Sequence, residues 1–257
     1  MSTANETAAL LARTAATGGL IDALPDPPET RAGAYAIQAA FEARSAQPRY
    51  GWKIAATSAA GQSHINVDGP IAGRLLAERI FAPGAEIALT HNRMLVCEPE
   101  FAFRFGRDLP ARGDFSREDV MAAVDTMHLS LEIPDSRFSD FTKVGAPSLI
   151  ADNACARELI VGPAVTADWR SVDLSRHPVR AKVTGRYTRE GSGAAVLGDP
   201  RDALTWLVNE VTGTGVDIRA GELVTTGTCM IPLEVLPGDE AVADYGPFGV
   251  ISARFGA

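Results

Sequence analysis

Two glutamates, Glu98 and Glu100, stand one residue apart in VCEPEFAFRF, residues 96–105. In an extended chain successive side chains alternate between faces. Glu98, Glu100, Ala102 and Arg104 then share one side, and Phe101, Phe103 and Phe105 the other. The aromatic side reads as core. Both carboxylates project together, roughly 6–7 Å apart from Cα to Cα, and repel unless a positive charge lies between them. A third acid, Glu132, sits in Leu129-Ser130-Leu131-Glu132-Ile133, where strict alternation turns Ser130 and Glu132 away from the three aliphatic residues. Three carboxylates with water completing the shell suit a hard cation, Mg²⁺ or Mn²⁺. Zinc is disfavoured: no His-x-x-x-His or Cys-x-x-Cys pair occurs, and His64, His91, His128 and His177 are scattered. The competing reading is an E-x-E pair on the solvated face of an amphipathic strand.

Lys53, between Trp52 and Ile54 in YGWKIAATS, either snorkels outward or has its pKa depressed by apolar company, and a depressed lysine exchanges protons near neutrality. Arg74 and Arg137 are candidate carboxylate clamps, with scaffold salt bridges as the alternative. Asp152, beside Asn153 in IADNACAREL, is a candidate substrate contact at what reads as a strand-to-helix transition, where capping is the competing role. Cys97 points into the aromatic side as a small core residue. There is no G-x-G-x-x-G after a strand, no G-x-x-x-x-G-K-[ST] and no G-x-S-x-G, so neither a nucleotide loop nor a nucleophile elbow is expected.

The elements that must position these residues begin with two helices, over 5–17 and 29–45, separated by a turn at LPDPPE. From Tyr50 the texture changes to short apolar segments cut by Gly and Pro, as in DGPIAGRLL and FAPGAEIAL, which read as strands and loops. Ser116 with Asp119 resembles a capping box, and Val120, Val124 and Met127 supply the buried stripe of a helix running on to HLSLEIPDSR. Asp199-Pro200 starts another helix, carried by Leu204, Leu207, Val208 and Val211. Short strands follow, with turns at Pro237-Gly238 and Gly246-Pro247. The fold class is α+β: an N-terminal helical cap over 1–48, then a β-rich body over 49–257, one domain overall.

At 257 residues, 46% hydrophobic and 22% charged, the chain has the balance of a soluble globular protein with a sizeable core. A net charge of −8 without a Lys/Arg run argues against nucleic-acid or acidic-membrane partners. Cys97, Cys155 and Cys229 are odd in number and widely spaced, which fits free thiols in a reducing, cytoplasmic setting. No basic stretch precedes an apolar run near Met1, and no segment approaches the roughly 20 apolar residues of a membrane helix.

The motifs GWKIAATS, DGPIAGRL, EPEFAFRFGRDLP, LEIPDSRFSDF, IADNA and LVTTGTCMIPLEVLPGDEAVADYGPFGVISARF, in this order over about residues 30–256, resemble the fumarylacetoacetate hydrolase superfamily. Within it they resemble the 2-keto-4-pentenoate hydratase and 4-oxalocrotonate decarboxylase branch. The resemblance implies a mixed β-sandwich-like roll with peripheral helices, a Mg²⁺ or Mn²⁺ held by Glu98, Glu100 and Glu132, and Lys53 as acid/base. The third ligand is glutamate, and no His-x-x-Glu dyad is present, so hydrolysis of carbon–carbon bonds is disfavoured. The implied activity is hydration of a 2-oxo or 2-hydroxydienoic acid through a metal-stabilised enolate in aromatic-type catabolism. The alternatives are decarboxylation of a 2-oxo dicarboxylic acid, or a catalytically silent partner subunit that binds a 2-oxo acid. Hydratases of the branch resemble P-D-F-G after the lysine. Here Ile71 and Ala72 replace the acidic and aromatic residues, the former as in the decarboxylases. A homo-oligomer is expected, with a hydratase–decarboxylase complex as a further partner arrangement.

Overall fold

The computed structural model describes residues 2–257. Two helices open the chain, α1 (Ser2–Thr17) and α2 (Arg31–Glu42), the second started by Thr30, whose hydroxyl accepts from Gly33 N. Then come β1 (Arg49–Ala55), α2's neighbour β2 (Ile71–Leu76) after the short helix α3 (Ala59–His64), and β3 (Ile80–Phe81) and β4 (Glu86–Ala88). The long strands β5 (Val96–Phe105) and β6 (Val124–Ile133) flank α4 (Arg117–Ala123). Beyond them lie α5 (Gly145–Ala151), β7 (Glu158–Ala164), the hairpin β8 (Pro178–Val183) and β9 (Tyr187–Ser192), and α6 (Pro200–Gly213). Four strands close the chain: β10 (Leu223–Thr228), β11 (Leu233–Glu234), β12 (Glu240–Asp244) and β13 (Val250–Gly256).

The described residues are mixed helix and sheet, with two sheets. One is eight-stranded in the order β2-β1-β10-β5-β6-β7-β3, with β11 pairing the first residues of β5; the other runs β4-β13-β12-β8-β9. The strands at the two ends of the first sheet, β2 and β3, are joined by only the three-residue turn Ala77–Arg79, so the sheet must curl until its ends approach. Curling gives it an inner and an outer face. On the outer face Phe101, Phe103 and Phe105, all essentially unexposed, enter the main core with Met127, Leu129 and Leu131. Tyr245 and His177 meet Phe101 edge-on at 5.2 and 6.0 Å between ring centroids. Leu75, Ala102, Leu159 and Leu223 make a separate cluster with Tyr50, Ile80 and Val161. Strand alternation from Ala102 and Leu223 puts this plug on the inner face, below the acids.

The capping box is present: Ser116 Oγ accepts from Asp119 N while the Asp119 carboxylate accepts from Ser116 N. The helix expected to run through Val124 and Met127, however, stops at Ala123. Val124 already pairs with Phe105, and Met127 with Phe103, in the antiparallel β5–β6 ladder. A helical apolar spacing and a strand spacing coincide at these residues, and pairing with the aromatic strand decides between them. The segment around Asp152 is likewise reversed from expectation, helix to strand: α5 ends there and β7 follows. Asp199 caps α6 by accepting from Arg201 N at 2.8 Å, as expected.

Because Phe103 fills the space between the curled sheet and its covering elements, Phe103→Ala is expected to cost about 3–5 kcal/mol. Urea unfolding would read this as a lower midpoint at unchanged slope; a loss below about 1 kcal/mol would show that the aromatic face is not the packed side.

Candidate metal centre

The ladder register sets the acids side by side. Glu98 on β5 faces Glu132 on β6 directly, and Glu100 faces Ser130. On the other flank, Thr225 of β10 pairs with both Ala102 of β5 and Lys53 of β1. All these side chains therefore share the inner face. One oxygen from each of Glu98, Glu100 and Glu132 lies within 4.8 Å of the others. Glu100 and Glu132 are buried, and Glu98 is partly buried.

The immediate partners are uneven. Glu100 Oε2 accepts from Thr225 Oγ1 and from Gly227 N at 2.8 Å, which fixes its carboxylate plane and leaves Oε1 free. Ser130 Oγ lies 3.2 Å from Thr225 Oγ1 and 3.4 Å from the Glu100 carbonyl, to which its hydroxyl donates. Lys53 Nζ makes an ion pair with Glu132 Oε1 at 3.0 Å and donates to the Ala154 carbonyl at 3.0 Å. Glu100 Oε1 and Glu132 Oε2 are buried with no hydrogen-bond partner. Such orphans are costly unless something cationic meets them. Ionised, three carboxylates against one ammonium leave two negative charges uncompensated, which is the charge of one divalent cation. The residues present thus fit a hard divalent ion held by Glu98, Glu100 and Glu132.

The same electrostatics move the proton affinities. Burial and the neighbouring Glu132 raise the Glu98 carboxyl to about 7, with Lys53 pulling the other way. Burial also lifts Glu100 well above the carboxylate range, with Glu132 and Glu98 adding to the effect, and it lifts Glu132 against the pull of Lys53. Lys53 neither snorkels nor has a depressed pKa. It is 2% exposed, and although burial disfavours its charge, Glu132, Glu98 and Glu100 together hold it above the ordinary lysine value. Its apolar sequence neighbours misled the expectation because Trp52 and Ile54 point to the opposite face.

Arg74, Arg137 and Asp152 are not brought to the acids. Arg74 alternates with Gly73, so it projects away from Lys53, lies over the Trp52 ring, donates to Gln38 Oε1 and pairs with Glu42. Arg137 pairs with Asp152, which also accepts from Ser136 Oγ at 2.7 Å and Arg137 N at 3.0 Å. These partners occupy the groups expected to clamp a substrate carboxylate, and the buried Asp152 side chain ties two loops together rather than capping a helix. Arg74 and Arg137 instead border a small cleft, about 60 Å³, that reaches Asn153, Ala156 and Arg157 but neither Lys53 nor the acids. Ile71 lies on the same face as Gly73, the partner of Lys53, two residues along β2, and is fully buried. Sequence reasoning assigned no role to Thr225, Gly227 or Ala154. Two consecutive threonines inside the otherwise apolar LVTTGT strand were the available signal for the first.

The family model described as fumarylacetoacetate (FAA) hydrolase C-terminal matches residues 55–255. The chain belongs to this family. Among its FAA-hydrolase relatives, the 2-hydroxyhexa-2,4-dienoate hydratase of Comamonas testosteroni is 31% identical, with 80% of this chain and 77% of that protein covered. The 4-oxalocrotonate decarboxylase of Pseudomonas putida is 33% identical over 89% of this chain and 87% of that protein. A solved 4-oxalocrotonate decarboxylase from Pseudomonas putida G7, complexed with magnesium and adipate, superposes with a TM-score of 0.89 at 28% identity, covering 99% of this chain and 97% of that one.

Two measurements follow. Thr225→Val is expected to weaken Mg²⁺ binding about 10-fold by calorimetry while Thr225→Ser stays near wild type; equal affinity for all three would remove Thr225 from the ligand support. For pH, a carboxyl raised in the fold contributes stability that is fully present below its unfolded value of 4.5 and lost as pH rises through about 7. The metal-free protein should therefore lose melting temperature over that window, less so in Glu98→Gln, and Mg²⁺ should restore more at the upper end, where it competes less with protons.

Proposed function

We propose that this protein is a divalent-metal-dependent lyase acting on a 2-oxo acid or its 2-hydroxydienoic form through an enolate. The observation that carries the reading is the ammonium of Lys53 held 3.0 Å from Glu132, beside two further converging carboxylates, in a buried recess. Enolisation needs a place for negative charge on oxygen and a group that moves a proton at carbon, and the recess offers both. A Mg²⁺ or Mn²⁺ held by Glu98, Glu100 and Glu132 supplies Lewis-acid stabilisation of the charge developing on the substrate's 2-oxygen. Lys53 is the acid/base. Glu132 and the Ala154 carbonyl orient its ammonium, and Ile71 and Ala154, both fully buried, keep water from its flank.

In hydration, Lys53 gives a proton to the terminal carbon of a 2-hydroxydienoic acid, the diene electrons shift to make the 2-oxo group, and the 2-hydroxyl proton leaves to restore the Lys53 ammonium. The resulting unsaturated 2-oxo acid then accepts water, hydroxide going to the β-position of the enone and a proton to the adjacent carbon. Similarity to the dienoate hydratase supports this reaction. In decarboxylation, the bond to the departing carboxylate breaks, CO₂ leaves, and the electron pair enters the enolate. Ile71 favours this second reading, because an aliphatic side chain on the Lys53 face supplies no second acid for adding water. The similarity to the decarboxylase over nearly the whole chain supports it too. The same proposal treats the curled sheets as the body of a β-sandwich-like roll over 49–257 and α1 and α2 as its cap over 1–48. It also takes the working form to be a cytoplasmic homo-oligomer able to associate with a hydratase or decarboxylase partner. No helix among the described residues is long and apolar enough to cross a membrane.

The test uses Mg²⁺ with 2-hydroxypenta-2,4-dienoate and, separately, 2-oxo-3-hexenedioate. Loss of dienol absorbance supports hydration, and CO₂ release supports decarboxylation. Lys53→Ala is expected to lower either rate by about 10²–10⁴-fold while Mg²⁺ binding persists. Turnover surviving in Lys53→Ala would remove the acid/base role, and metal-dependent ligand binding without turnover in the wild type would mark a silent binder.

A further inference from the structure

Between α5 and β7 the backbone does something unusual. Asn153, Ala154 and Cys155 have φ of 57°, 49° and 60°, three consecutive non-glycine residues in the left-handed region. Asparagine tolerates that conformation, but alanine and cysteine do so only under strain, so the surroundings must hold them there. They do, at every point. The Asp152 carboxylate is fixed by Ser136 and Arg137, and the Cys155 carbonyl accepts from Asp135 N at 2.9 Å. Asn153 works as a clamp on the edge of β2: its Oδ1 accepts from Arg74 N at 2.7 Å, and its Nδ2 donates to the Arg74 carbonyl at 2.8 Å. The side chain thereby satisfies both backbone groups of an edge-strand residue. The strap also comes very close to the sheet. A Cβ on Gly73 would lie 2.4 Å from the Asn153 carbonyl oxygen, so only glycine fits beneath it.

The group this turn delivers to the recess is the Ala154 carbonyl, which accepts from Lys53 Nζ at 3.0 Å. We infer that the left-handed strap Asn153–Cys155 is a positioning device for Lys53, clamped by Asn153 onto Arg74 over Gly73, and that its strain is retained because it aims the Ala154 carbonyl at the ammonium. Asn153 is thus a positioning residue for the proton transfer. Its side chain hydrogen-bonds Arg74 rather than the acids or Lys53, and it acts through the carbonyl one residue on. The inference rests on the acid/base reading of Lys53. It accounts for why a fully buried alanine adopts a conformation that costs stability: a right-handed turn here would direct the carbonyl away from Lys53.

Two variants separate positioning from scaffolding. Asn153→Gly keeps the left-handed backbone accessible but removes the clamp. Ala154→Gly relieves the strain and should raise the melting temperature by about 2–4 °C. If the strap positions Lys53, Asn153→Gly lowers kcat about 10-fold or more at a temperature where it is folded, with KM and Mg²⁺ affinity within about two-fold of wild type, the range that a misplaced catalytic group costs. Asn153→Asp, which keeps the acceptor for Arg74 N, should recover part of the loss. An Ala154→Gly no more stable than wild type removes the strain, and an Asn153→Gly whose kcat is unchanged overturns the proposal and leaves the strap as scaffold. Lys53→Ala runs alongside: turnover surviving there fails the acid/base reading and the strap with it, whereas turnover abolished there but intact in Asn153→Gly fails the strap alone.

Discussion

Three carboxylates are crowded onto the inner face of one sheet with a single ammonium between them, and this imbalance is the constraint on which the rest of the structure depends. Burying one acid without a partner is expensive, and bringing three within 4.8 Å adds mutual repulsion. No flexible loop would hold them so. Here Glu98 and Glu100 come from the middle of a ten-residue strand and Glu132 from the end of its ladder partner. The opposite faces of both strands are locked into the main core by Phe101, Phe103, Leu129 and Leu131. The aromatic face resists the relaxation that repulsion would otherwise cause, and the strain is released by protons at low pH or by a divalent ion at higher pH.

The curl of the sheet completes the site. Lys53 is on β1, separated from β5 by β10, and reaches Glu132 on β6 only because the inner face is concave. Below the acids the small apolar cluster around Leu75, Ala102 and Leu223 plugs the interior, while Glu98 keeps some exposure. Glu100 is the most constrained of the three acids, with two donors on one oxygen and none on the other. That asymmetry is what a ligand presented through a single oxygen requires, and it originates in Thr225 and Gly227, where β10 leaves its regular register against β5.

Strand alternation is a strong signal when one face is uniformly apolar, and so Glu98 and Glu100 could be placed on one polar side, and Glu132 on the polar side of its own strand, without coordinates; the family resemblance, not alternation, joined the three. Local chemistry was equally readable at Ser116 with Asp119 and at Asp199 with Pro200, because caps are settled by neighbours in sequence. What depended on distant partners was not readable. Val124 and Met127 satisfied a helical spacing until β5 claimed them. The charge state of Lys53 was set by three acids from other strands rather than by Trp52 and Ile54. Arg74 and Arg137 carried the right chemistry for a clamp, but Glu42 and Asp152, 32 and 15 residues away in sequence, had already engaged them. The left-handed turn at Asn153–Cys155 has no local signature at all, since neither Ala154 nor Cys155 favours it.

The most direct measurement is anomalous diffraction from crystals soaked in Mn²⁺, a hard ion with the same oxygen preference as Mg²⁺ and a usable signal. A single strong peak bounded by oxygens of Glu98, Glu100 and Glu132, lost when Glu98 and Glu132 are both replaced by glutamine, is the predicted outcome. A recess that stays free of the peak at saturating Mn²⁺, with the three acids protonated or turned apart, would contradict the account.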